Sequence, residues 1–100
     1  MVIIPYEGRA KIYAQAAETF GRDNQITVAI EELSELTKEL CKLKRLKGRL
    51  SDLAEEVADV TIMLEQLRIL FDIGELADAI MDAKLKRLVV NIEKAKEGMT

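Results

Sequence analysis

Two stretches, Glu31-Glu32-Leu33-Ser34-Glu35-Leu36 and Glu55-Glu56-Val57-Ala58-Asp59-Val60, decide how this chain is read. Each places two carboxylates three residues apart, Glu32 with Glu35 and Glu56 with Asp59, hence on one face of a helix. At about 100° per residue, Gln25, Ala29, Leu33, Leu36, Leu40 and Leu43 fan to one side of Glu32, while Glu35 and Glu39 fall on the other. Around Glu56 the apolar fan is Leu53, Val57, Val60, Leu64, Leu67 and Phe71, with Asp59 opposite. A carboxylate pair therefore borders the apolar stripe of each helix. Acids on the borders of two adjacent helices can converge on one point, as a site for a hard cation requires.

Working outward, the short break around Gly48 joins the two helices into an antiparallel hairpin. Asp23 or Asn24 is the expected N-cap of the first, which runs to about Lys47; Ser51 and Asp52 open the second, which runs to about Phe71. Upstream, Ala10, Tyr13, Ala14, Ala17 and Phe20 predict a helix from about Glu7, closed by Gly21 after a short extended lead. Downstream, Asp72-Ile73-Gly74-Glu75 has the form of a capping box for a fourth helix reaching about Lys96. The expectation is one all-α domain over residues 1–100. The third helix carries a second apolar face, Ala54, Ala58, Ile62 and Ile69, which four short helices in one chain cannot cover. A homodimer, two hairpins making a four-helix bundle, follows as an expectation.

Composition supports the helical reading and removes several functions. In 100 residues, 49% are hydrophobic, with only 5 Gly and 1 Pro, a helix-forming balance. A net charge of −3 without a basic, aromatic-rich stripe argues against nucleic acid as a partner. No apolar run approaches the roughly 20 residues of a membrane span, and a lone Cys41 fits a reducing, cytoplasmic setting. With no His and 1 Cys, His-based triads, Cys–His nucleophiles and ordinary zinc sites are excluded within one chain. Neither phosphate-cradling glycine motif is present. Any chemistry must use carboxylates, Lys, Arg, amides or hydroxyls.

Most helical acids decorate a solvated face beside a base one turn away, but these do not. The neighbours of Glu32 at three and four residues are Ala29, Val28, Glu35 and Leu36; those of Glu56 are Leu53, Asp52, Asp59 and Val60. Asp59 likewise has no basic neighbour, and no Lys or Arg lies between Arg49 and Arg68. Like charges at these spacings cost about 0.2–0.5 kcal/mol per pair in isolated helices. A bound divalent cation offsets that cost, and all-oxygen ligation points to Mg²⁺, with Mn²⁺ as the alternative. In the fourth helix Lys84, Arg87 and Asn91 fall within the arc of Leu76, Ala77, Ile80 and Leu88. They either snorkel past the apolar edge or face the acids and neutralise an anion held there. Gln25, two turns before Glu32, is a substrate ligand, an orienting amide or an ordinary edge residue. Met63, Tyr6, Tyr13 and Phe20 read best as core, the aromatics having base stacking as their alternative use.

The strings Gln25…Ala29-Ile-Glu-Glu-Leu-Ser-Glu-Leu-Thr37 and Glu55-Glu-Val-Ala-Asp-Val-Thr-Ile-Met-Leu64 resemble the E-x-x-E…E-x-x-D signature of MazG-like nucleotide pyrophosphohydrolases, the all-α NTP pyrophosphatases. The resemblance covers about three quarters of the chain and includes Lys84-Leu-Lys-Arg87 downstream. It implies Mg²⁺-dependent hydrolysis of a nucleoside or deoxynucleoside triphosphate to the monophosphate and pyrophosphate. It also implies Glu32, Glu35, Glu56 and Asp59 as metal ligands, Lys84 and Arg87 as phosphate contacts, Asn91 as a looser match, and a dimer or tetramer. On this reading Glu35 and Glu56 are the catalytic carboxylates, Glu35 being the candidate base. Phosphoribosyl-ATP pyrophosphatase is the neighbouring alternative, and a non-catalytic helical nucleotide-binding or adaptor protein is the alternative of a different class.

Overall fold

The computed structural model describes residues 1–99, which form four α-helices and no strand: α1 Tyr6–Phe20, α2 Arg22–Lys44, α3 Leu50–Leu70 and α4 Gly74–Gly98. The number and order of helices are those expected. Their ends are built differently, and each difference has a backbone cause.

Gly21 alone separates α1 from α2. Its N–H donates to the Ala17 carbonyl at 3.0 Å and its carbonyl accepts from the Gln25 N–H at 3.1 Å. One residue thus closes one helix and opens the next, at a φ of 92° that favours glycine. The expected caps Asp23 and Asn24 consequently lie inside the first turn of α2.

Helix α2 stops at Lys44 rather than Lys47. Leu46 takes a left-handed φ of 58°, the Lys47 N–H reaches the Lys42 carbonyl at 3.0 Å and the Leu46 N–H reaches Leu43 at 2.9 Å. This paired closure satisfies the last carbonyls, with a leucine in the position glycine usually takes. Gly48 serves close packing instead, because a Cβ there meets Leu43 Cδ2 at 2.9 Å and the Leu43 backbone nitrogen at 3.1 Å.

The same closure recurs after α3. The Ile73 N–H bonds the Arg68 carbonyl at 3.0 Å and the Asp72 N–H bonds Ile69 at 3.2 Å, with Asp72 at φ 51°. Asp72 is therefore the left-handed stop of α3 and not the N-cap of α4. Ile73 caps α4 through its backbone alone, so the expected capping box does not form. Arg49 likewise precedes α3 with no side-chain cap, which places Ser51 and Asp52 within its first turn. Asp52 there still complements the positive helix end.

Helices α2 and α3 are the most closely packed pair, α1 lies against both, and α4 meets only α3. The centre holds Tyr13, Ala29, Val60 and Met63 with the polar Gln25 and Glu39. Tyr13 and Met63 are core as expected; Tyr6 and Phe20 are 50% and 63% exposed and are not. Arg68 anchors the start of α4, donating to the Gly74 carbonyl at 3.2 Å and to Asp78 at 2.7 Å. Beyond that anchor α4 buries no residue. The radius of gyration of 17.3 Å exceeds the roughly 13 Å of a compact chain this long, as a projecting helix requires. No helix among the described residues is long and apolar enough to cross a membrane.

Candidate metal centre

Packing α2 against α3 brings Glu32, Glu56 and Asp59 together, each partly buried, with one carboxylate oxygen apiece lying within 4.8 Å of the others. Glu32 comes from α2; Glu56 and Asp59 stand almost one turn apart on α3. These are three of the four residues singled out as metal ligands. The fourth, Glu35, is exposed at the rim, yet its charge bears on both Glu32 and Glu56.

Crowding is visible in the acid strengths. Burial, then repulsion from Asp59 and contact with it, pushes the Glu32 carboxyl above its ordinary range, with smaller effects from Glu35 and Glu31. Burial, followed by repulsion from Glu32, Asp59, Glu35 and Glu55, does the same to Glu56. Glu56 Oε2 is buried without a hydrogen-bond partner. No Lys or Arg pairs with any of the three among the described residues. Three close carboxylates, one with an unpartnered buried oxygen, are hard oxygen donors whose chemistry fits a divalent cation.

None of the remaining candidates belongs to the three-acid group. Gln25 is buried and lines a hollow of about 400 Å³ with Phe20, Asn24, Val28, Met63 and Gln66, among others. Amides and an exposed aromatic ring around an open hollow suit a flat heterocycle. Lys84 lines an apolar depression on α4 with Ile80, Met81, Leu85 and Leu88, and Arg87 and Asn91 are exposed on the same helix. Because α4 does not approach α2, a single chain does not assemble these three with the acids.

Two features go beyond what helical spacing predicts, the first being the burial of Glu39. Glu39, on the acidic border of α2, is 8% exposed; it pairs with Lys42 at 3.1 Å through Oε1 while Oε2 lacks a partner. The other is a clamp between α1 and α3, in which Glu65 Oε2 accepts from Arg9 Nε at 2.9 Å and from the Tyr13 hydroxyl at 2.8 Å. The signal available was Arg9 one turn before Tyr13 on the face of α1 that turns inward.

This clamp sets a pH window. The hydrogen bond from Arg9, with that from Tyr13, outweighs burial and holds Glu65 below its ordinary range. Burial, then the bond to Glu65, pushes the Tyr13 hydroxyl up. The Glu65 contribution is present above its unfolded pKa and is lost as pH falls through the lowered folded value. The Tyr13 contribution is present below its unfolded pKa and is lost as pH rises through the raised one. Amide exchange of α1 is therefore expected to stay slow between about pH 5 and pH 9 after correction for intrinsic rates. Protection should fall on both flanks; a loss in mid-window would exclude the clamp as its cause.

No family model, curated protein or solved structure matches this chain.

Proposed function

We propose that this chain is a Mg²⁺-dependent nucleoside triphosphate pyrophosphohydrolase of the MazG-like kind, with Mn²⁺ as the alternative ion. The observation that carries the reading is the convergence of Glu32, Glu56 and Asp59 around a buried, unpartnered Glu56 oxygen. These carboxylates would hold the ion. When bound, it supplies positive charge to the triphosphate oxygens and favours ionisation of water.

The chain's own groups have distinct tasks. Glu35, exposed beside the cluster, accepts the proton of the attacking water. Water adds to phosphorus, a phosphoanhydride bond breaks, and the monophosphate and pyrophosphate leave. Gln25, with Phe20, Asn24 and Gln66, offers a seat for the base.

In this reading α2 and α3 are an antiparallel hairpin, since the short link 45–49 cannot return the chain to a parallel start. A second copy covers the apolar residues that α4 leaves exposed, including Leu76, Ile80 and Leu88, and the outward face of α3. Assembly of that kind, as a dimer or tetramer in the cytosol, gives Lys84, Arg87 and Asn91 a route to the phosphates.

Pyrophosphate release from canonical, deoxy and oxidised nucleoside triphosphates tests the reading. The expected result is Mg²⁺-dependent formation of monophosphate and pyrophosphate in equal amounts from at least one substrate. Release of diphosphate and phosphate, or no turnover across the set, overturns it.

A further inference from the structure

The link between α2 and α3 concentrates positive charge that the metal-site reading does not use. Lys42, Lys44, Arg45, Lys47 and Arg49 fall within residues 42–49, and no acid lies between residues 40 and 51. In the fold, Lys42, Arg45, Lys47 and Arg49 line a hollow of about 440 Å³ with Gly48 and Asp52. Lys42 is held by Glu39 at 3.1 Å. The side chains of Arg45, Lys47 and Arg49 have no hydrogen bond or ion pair among the described residues. The chain as a whole is acidic, at −3, so this is a local pole of opposite sign.

The start of α3 borders the hollow, since Arg49 and Asp52 both line it. Helix α3 begins at Leu50, and no side chain caps it. The first N–H groups of a helix have no intrahelical acceptor, and the positive end of the helix dipole favours an anion. The closure of α2 around left-handed Leu46 and the tight seat of Gly48 on Leu43 fix the link that carries the cations. Asp52 offsets one positive charge and leaves the hollow basic.

We propose that this hollow is a binding site for a small phosphate-bearing anion, held by Arg45, Lys47, Arg49 and the first backbone N–H groups of α3. Arginine and helix N–H groups both recognise phosphate oxygens through directed, charge-assisted hydrogen bonds. A small anion fits better than nucleic acid. The positive charge occupies one concave end of an acidic chain, whereas a polynucleotide needs a track of cations or stacking rings. Arg49 precedes Glu56 by seven residues, roughly 10 Å along the helix axis, and although Asp52 stands one turn from Glu56, no residue lining the hollow belongs to the three-acid cluster. The inference does not depend on the pyrophosphohydrolase reading.

The test is an amide NMR titration of the metal-free chain with inorganic pyrophosphate, against sodium chloride at matched ionic strength. Saturable shifts are expected at Leu50, Ser51 and Asp52. The double variant Arg45→Ala/Arg49→Ala, its remaining spectrum unchanged, is expected to bind about tenfold or more weakly. Lys94→Ala/Lys96→Ala, altering an equal charge on α4, should bind as the parent does. A parallel titration with a nucleoside diphosphate should move the same three amides, which identifies the phosphate group as the ligand feature. Shifts that follow ionic strength alone, equal binding by the Arg45/Arg49 variant, or tighter binding of single-stranded DNA spreading onto α4 would each overturn the proposal.

Discussion

Glu56→Gln is expected to lower Mg²⁺-dependent pyrophosphate release by roughly 10³-fold and to raise the melting temperature of the metal-free chain. The two effects share one origin. Glu56 is pressed by burial and by the charges of Glu32, Asp59, Glu35 and Glu55. Removing its charge relieves that repulsion, and the new amide can donate to the acids around it. A side chain that costs stability in the metal-free state is a mark of a functional site. A residue with a merely structural role would move both readouts downward together. Mg²⁺ should stabilise the parent by mass action, and the variant much less. Thermal melts with and without Mg²⁺, beside a turnover assay, measure all of this. A variant that keeps its turnover would falsify the assignment of Glu56.

Glu65→Ala is expected to lower the melting temperature by freeing α1 from α3. Both the Arg9 and Tyr13 bonds end on one oxygen, Glu65 Oε2, and Tyr13 is 5% exposed. The substitution leaves the Tyr13 hydroxyl buried with no acceptor, a penalty of about 1–3 kcal/mol. For a chain of this size that corresponds to roughly 4–8 °C of melting temperature per kcal/mol. Glu65→Gln retains an acceptor for Tyr13 and loses only the charge, so its decrease should be smaller. Equal losses for the two variants would show that packing, not the hydroxyl bond, holds α1 in place. Hydrogen exchange should locate the loosening in α1 rather than in α2 or α3.

Four helices and the convergence of Glu32, Glu56 and Asp59 were legible because both depend on periodicity. Glu32, Glu56 and Asp59 border apolar stripes, and the packing of α2 on α3 brings those three borders together, although stripe residues such as Leu33, Leu40, Val57 and Leu64 stay largely exposed. Helix ends were less legible. The capping signals at Asp23, Ser51 and Asp72 were real as composition, but backbone closure competed with them. Leu46 and Asp72 took left-handed positions that hydropathy does not encode, and Gly21 ended one helix while starting the next. The clamp of Glu65 by Arg9 and Tyr13 was hidden because it joins residues more than fifty apart, where one-turn spacing rules are silent. Lys84, Arg87 and Asn91 pose a different problem. Their helical phase was readable, but phase says nothing about what a helix faces once it leaves the body of its own chain.

Folding order follows from the way α4 projects. Helices α1, α2 and α3 bury Tyr13, Ala29, Val60 and Met63 among themselves, using short connections that favour rapid, unimolecular collapse. Helix α4 contributes nothing to that centre. In the proposed assembly its docking is a later, bimolecular step whose rate rises with protein concentration. Newly made chains would thus pass through a stage in which a formed body carries an uncovered apolar arm. In that proposed assembly the supply of second copies would set how long the stage lasts, and synthesis rate would bear on how often the arm meets a wrong surface first.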